Sequence, residues 1–249
     1  YGYDIYQKPN NYKLISAYTG RKKLKRVYDF GFYTKNKKTY GVIKIFNFKE
    51  KDVISSQDSK KYLFFDPIRK FILSLKQSKQ KLIVDLRNNS GGNGRYPEKL
   101  LSILAPLNKS YLPPTWMLRS TPRIRQMLEV INAKSSKVGV TKDSRKALSA
   151  IKKAKKKGES HSQPFVRSGP IKADPLIGGY SEDIVVLLAS GCISSCDIFA
   201  SLVKSSGRAI LVGSSSNGTG AGARSNKFFD TTEWVDPYYS LKVNIPNSL

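Results

Sequence analysis

Ser194 is the residue of this chain best placed to do chemistry. It lies in Ser190-Gly191-Cys192-Ile193-Ser194-Ser195-Cys196-Asp197, just after the unbroken apolar run Ile184-Val185-Val186-Leu187-Leu188. Such a run predicts a strand buried on both faces of a mostly parallel sheet. Ile198, Phe199, Leu202 and Val203 then recur at helical spacing, and Gly207 ends the helix. Ser194 therefore falls where a strand turns into a helix, beside unpaired N–H groups and the positive end of the helix dipole. A hydroxyl there suits attack on a carbonyl, with the N–H of Ser195 as the first donor to the oxyanion. Taken alone, the segment also fits a serine that only caps the helix, which is the commoner use.

A second segment supplies what a nucleophile needs. Lys81-Leu82-Ile83-Val84-Asp85-Leu86-Arg87 reads as another strand and runs straight into Asn88-Asn89-Ser90-Gly91-Gly92-Asn93. Adjacent glycines let a backbone approach a ligand closely, and the carboxyl end of a parallel strand is where an open α/β sheet binds substrate. An amide of Gly91 or Gly92 would be the second oxyanion donor. Cys192 and Cys196 flank Ser194. They read either as a bridge stapling the turn or as two small buried residues beneath it. Two cysteines and one distant histidine, His161, make no standard zinc ligand set.

Together these segments resemble the C-terminal processing (tail-specific) family of serine peptidases. In that family a strand ending D-L-R-N-N-x-G-G is followed by a strand, a serine elbow, a helix and R-A-x-x-V-G. The resemblance spans roughly residues 40–249. It implies an α/β fold with a ClpP/crotonase-like core of stacked parallel strands and helices, and a serine endopeptidase activity. It places the nucleophile at Ser194, the oxyanion amides at Ser195 and the Gly91-Gly92 pair, and it implies no cofactor and no metal.

The departures from the pattern matter as much. Many members carry a lysine base in a G-K-G loop, and here the loop is Ser216-Asn217-Gly218-Thr219-Gly220. Thr219 stands at the lysine position, and a hydroxyl cannot accept a proton at neutral pH. The sequence is more similar to the branch that includes the tricorn core protease and the chlamydial protease-like activity factor, which uses serine, histidine and glutamate. Ser194-Ser195-Cys196-Asp197-Ile198-Phe199 matches the S-x-x-D-[IF]-F of that branch. Its histidine lies upstream of the first core strand and its glutamate follows the last one. Neither is present at those places, so the expectation is a fragment lacking its base and orienting acid. His161 reads as an exposed loop histidine in an insertion, and Glu233 precedes the last strand instead of following it.

The elements follow from these anchors. Residues 1–39 are basic and tyrosine-rich with broken periodicity, and read as a connecting segment. The peptidase core then runs from 40 to 249, with a strand over 40–48 and a helix that begins at Asp66-Pro67 and buries Ile68, Phe71, Ile72 and Leu75. A helix near 97–104 follows the glycine loop. A Lys-rich insertion at about 107–182 interrupts the core, with helical stretches at 124–131 and from Thr141 to Gly158.

The chain has 249 residues and a formal net charge of +26. Two rival readings stand beside the peptidase one, the first of them raised by that charge. A basic nucleic-acid-binding protein is one, but no aromatics interleave the lysines between 134 and 157, so a stacking platform is missing. The other is an inactive relative acting as a ligand-binding or scaffold module, as the interphotoreceptor retinoid-binding protein does in this superfamily. Intact Ser194 and both glycines speak against it. The expected partner is thus a peptide or protein substrate, with acidic segments favoured by the cationic surface, and no specific nucleic acid. No apolar run is long enough for a membrane span. The expected location is extracytoplasmic, periplasmic or secreted, where a Cys192–Cys196 bridge would persist.

Overall fold

A computed structural model describes residues 12–19, 26–49, 63–133, 142–166, 168–218, 231–235 and 242–246. The chain divides into two units, one of residues 1–111 and 171–218, the other of residues 112–170 and 219–249.

The first unit is built on a six-stranded sheet. Its strands are β1 (Tyr12–Thr19), β2 (Arg26–Lys35), β3 (Lys38–Ile45), β4 (Leu82–Asp85), β9 (Ile184–Leu188) and β10 (Ile210–Gly213), side by side in that order. β3, β4, β9 and β10 run parallel, whereas β1, β2 and β3 form an antiparallel meander. The described residues form three further, two-stranded sheets. Two are antiparallel pairs of short strands, β5 (Ser110–Tyr111) with β8 (Ile171–Lys172) and β6 (Thr115–Trp116) with β7 (Phe165–Val166). The third pairs β11 (Thr231–Val235) with β12 (Lys242–Pro246).

This corrects the expected ClpP/crotonase-like stack of parallel strands. The sheet is mixed, and the antiparallel half comes from a hairpin that the sequence conceals. Asn36 and Lys37 take φ of 49° and 59°, the positive pair that a two-residue type I′ turn requires, without the usual glycine. The strand run also differs from a doubly buried one: along β9 the residues alternate between buried and half-buried.

Helices bridge the parallel strands. α1 (Asp66–Gln77) carries proline in its first turn and buries Ile68, Phe71, Ile72 and Leu75, and α2 (Tyr96–Leu104) follows the glycine loop. α5 (Ser195–Ser206) joins β9 to β10, packs against α2, and ends at Gly207 in the left-handed conformation. Phe48, Phe64, Phe65 and Tyr96 form an aromatic cluster among these elements, with ring centroids 4.6–6.5 Å apart.

One buried and one half-buried charge lock these elements. Asp174 Oδ2 accepts from Arg69 on α1 at 3.1 Å and pairs with Lys99 Nζ on α2 at 2.6 Å, while its Oδ1 accepts the Leu176 N–H at 2.9 Å. Burial pushes this carboxyl up, but Lys99, the Leu176 amide and Arg69 outweigh it and hold it below the ordinary carboxylate value. Arg208 donates to the carbonyls of Leu104, Tyr180 and Glu182, tying the end of α2 to the lead-in of β9.

In the second unit, α3 (Pro122–Ala133) packs on α4 (Lys142–Lys156). Among the described residues, Leu118, Ile124, Leu128, Ala147 and Ile151 form the buried cluster between them. Gly158, with φ of 70°, closes α4 as its αL terminator.

Candidate active site

The glycine loop leaves β4 through a turn in which the Arg87 guanidinium grips the Asp85 carboxylate at 2.8–2.9 Å. Asn89 comes next and is fully buried. Its Oδ1 accepts the Gly91 N–H at 2.8 Å and its Nδ2 donates to the Ile45 carbonyl at 3.0 Å. Its own carbonyl accepts the Ile193 N–H at 3.1 Å. One side chain thus ties the end of β3 to the loop, and its backbone ties the loop to the turn after β9.

Both glycines are obligatory in this conformation. Gly91 has φ of 72°, and a Cβ there would lie 2.6 Å from the Ile193 carbonyl oxygen and 2.7 Å from Ser194 Cβ. Gly92 has φ of 146°, and its Cβ would lie 2.3 Å from the Phe48 carbonyl. The loop continues the sheet: the Phe48 N–H donates to Gly91 O at 2.8 Å and the Asn93 N–H to Phe48 O at 2.7 Å.

Facing this loop is the elbow between β9 and α5. The Cys192 N–H donates to Ala189 O at 2.9 Å, closing the turn, and Ser194 follows with φ of 59° and ψ of −121°. That region is sparsely populated for a residue with a Cβ, and such backbone persists only where its surroundings enforce it. α5 starts at the next residue. The Ser194 side chain makes no capping hydrogen bond to the helix, so the helix-cap reading does not hold. Cys192 and Cys196 are both fully buried and are joined by a disulfide with Cα atoms 5.3 Å apart. The bridge spans Ser194. A strap after β10 is fastened to the same place: the Asn217 N–H donates to Cys192 O at 3.0 Å and the Gly218 N–H to the buried Asp197 carboxylate at 2.9 Å.

At the elbow and the glycine loop, two amides that could serve a substrate have no acceptor among the described residues. One is the N–H of Ser195, at the first position of α5, where the dipole favours negative charge. The other is that of Gly92, an exposed residue. The peptide between Gly91 and Gly92 is trans, so its C=O and N–H point opposite ways. With the carbonyl turned to Phe48 beyond β3, the Gly92 N–H faces the side where β9 and its elbow run.

The structure thus brings Gly91 against Ser194 and Ser195, with Gly92 the next residue of the same loop. Thr219 lies outside the described residues. His161 belongs to the second unit, where its backbone bridges Arg119 and its Nδ1 lies 3.0 Å from Ser160 Oγ. Glu233 stands on β11 opposite Asn244. Among the described residues no group of three or more His, Cys, Asp and Glu could hold a metal ion, and no helix is long and apolar enough to cross a membrane. Residue type alone does not single out Asn89 and Asp197. Their signal in the sequence is only their place in N-N-x-G-G and S-x-x-D.

No curated protein matches the sequence significantly. Among solved structures, mature CPAF in complex with lactacystin is similar at 19% identity and a TM-score of 0.63, covering 94% of this chain and 48% of that one. Uncomplexed mature CPAF matches at 18% identity and the same TM-score, over 93% and 47%. A putative peptidase from Parabacteroides merdae matches at 12% identity and a TM-score of 0.52, over 96% and 53%. These likenesses concern the fold, and the chain spans about half the length of each. The sequence model of peptidase family S41 matches residues 39–235. With its serine elbow facing a paired-glycine loop, the chain belongs to peptidase family S41, the serine peptidases.

Proposed function

We propose that the protein is a serine endopeptidase with Ser194 as its nucleophile. Ser194 Oγ adds to the scissile carbonyl as its proton passes to a base. The carbonyl oxygen becomes an oxyanion held by the Ser195 N–H and an N–H of the glycine loop. Collapse expels the amine, which takes the proton, and water then releases the acyl group by the same route. The observation that carries this reading is the backbone of Ser194, at φ 59° and ψ −121° on a helix N-terminus it does not cap. Each amide donor would contribute about 3 kcal/mol to lowering the barrier. As the resemblance implies, the base is a histidine oriented by an acid. His161 is not assigned that role, because its described partners are Ser160 and Arg119 of the second unit.

The buried Cys192–Cys196 bridge favours an oxidising, extracytoplasmic compartment. Acidic segments of substrates are favoured by α4, whose open face carries Arg145, Lys152, Lys153 and Lys156.

Hydrolysis of an unfolded protein substrate by the intact protein, with its native termini, tests the activity. Ser194→Ala is expected to lower kcat on the order of 10⁴-fold or more while leaving the melting temperature in place. Undiminished cleavage by that variant would refute the assignment.

A further inference from the structure

We infer that Asn89 is a positioning residue of the oxyanion site: it withdraws the Gly91 amide from the site and leaves the Gly92 amide as the loop's donor. The inference rests on the nucleophile reading of Ser194.

Gly91 is the glycine nearest the elbow, since a Cβ on it would lie 2.7 Å from Ser194 Cβ and 3.2 Å from the Ser195 nitrogen. Proximity alone would make its N–H the donor. That N–H is already given to Asn89 Oδ1 at 2.8 Å, inside a fully buried hydrogen bond. The acceptor cannot swing away, because Asn89 Nδ2 is held by the Ile45 carbonyl at 3.0 Å. A buried amide that makes both kinds of bond fixes its own orientation. It also fixes the peptide that follows. With the Gly91 N–H turned to Asn89 and the Gly91 carbonyl turned to Phe48, the next N–H has one direction left, toward the elbow side. The Asn89 carbonyl meanwhile holds the Ile193 N–H at 3.1 Å, so the same residue sets the spacing between the loop and the residue preceding Ser194. Donors fixed before the reaction need no reorganisation when charge develops, which is the basis of oxyanion stabilisation.

The test uses a fluorophosphonate, whose phosphoryl oxygen takes the oxyanion's place once Ser194 is phosphonylated. In the intact protein, Asn89→Ala is expected to slow phosphonylation at saturating probe on the order of 10- to 100-fold, with the half-saturating probe concentration little changed. A merely structural residue would instead lower the melting temperature and leave that rate alone once the protein is folded. Should the variant not fold, glycine-selective ¹⁵N spectra of the wild-type adduct decide. The Gly92 amide proton should move downfield on phosphonylation while that of Gly91 stays put. A shift at Gly91 instead, or an unslowed Asn89→Ala, overturns the role of Asn89 and leaves Ser194 as the nucleophile. Wild-type protein that takes no label at Ser194 overturns the nucleophile reading and this inference with it.

Discussion

In the unit that carries Ser194, buried polar groups are bonded to one another across elements distant in sequence. Asp174 joins α1 to α2, Asn89 joins β3 to the glycine loop and the elbow, and Asp197 holds the strap after β10. The unit containing α3 and α4 is built differently. Among its described residues the core is a handful of aliphatic side chains, and Lys152 and Glu129 stand 3.9 Å apart in an exposed pair. A site that must hold a strained serine and two aimed amides needs the first kind of construction. A cationic face that attracts acidic chains needs only the second.

The comparison predicts a graded response to substitution. Asp174→Asn removes the charge between Arg69 and Lys99 and should cost about 3–5 kcal/mol, read from the denaturation midpoint. Because the Asp174 carboxyl is held below its ordinary value, its stabilisation is complete above the ordinary carboxylate range and is lost as pH falls through the native value. Wild type should therefore lose stability in acid more steeply than the variant, and the gap between them should close there. Labelling of Ser194 by the folded variant should persist, since Asp174 is not among the groups gathered at the elbow.

Gly91→Ala comes next. It forces a Cβ against Ile193 O and Ser194 Cβ at φ 72°, which should cost about 1–3 kcal/mol of stability. It should also slow labelling by roughly 100-fold, because the displaced loop no longer presents its amide. A stable Gly91→Ala protein with full labelling would break the view that loop and elbow are one assembly.

The smallest effect is expected in the second unit. Replacing Lys152, Lys153 and Lys156 by Glu should change stability by no more than about 0.5 kcal/mol each. Cleavage of acidic substrates should slow several-fold at low salt and lose that difference as ionic strength rises. A salt-independent loss would remove electrostatic steering from the account.

The elbow was readable in the sequence because it is contiguous: an apolar run, small turn residues, and then Ile198, Phe199, Leu202 and Val203 at helical spacing. α4 was readable for the same reason, with Ala147, Ile151 and Ala154 buried on one side. What escaped was non-local or atypical. The hairpin before β3 turns on Asn36 and Lys37, neither of them the expected glycine, so residue types do not mark the antiparallel half of the sheet. Residue types also could not decide between Gly91 and Gly92. That choice depends on a hydrogen bond from Gly91 to a side chain whose other partner is Ile45.

Fluorophosphonate labelling of the intact protein, with the adduct mapped by peptide mass, decides whether Ser194 is the nucleophile. A nucleophilic Ser194 takes a single adduct in the wild type, and Ser194→Ala takes none. A folded wild-type protein that stays unlabelled, or a Ser194→Ala variant that labels as fast, would contradict that role.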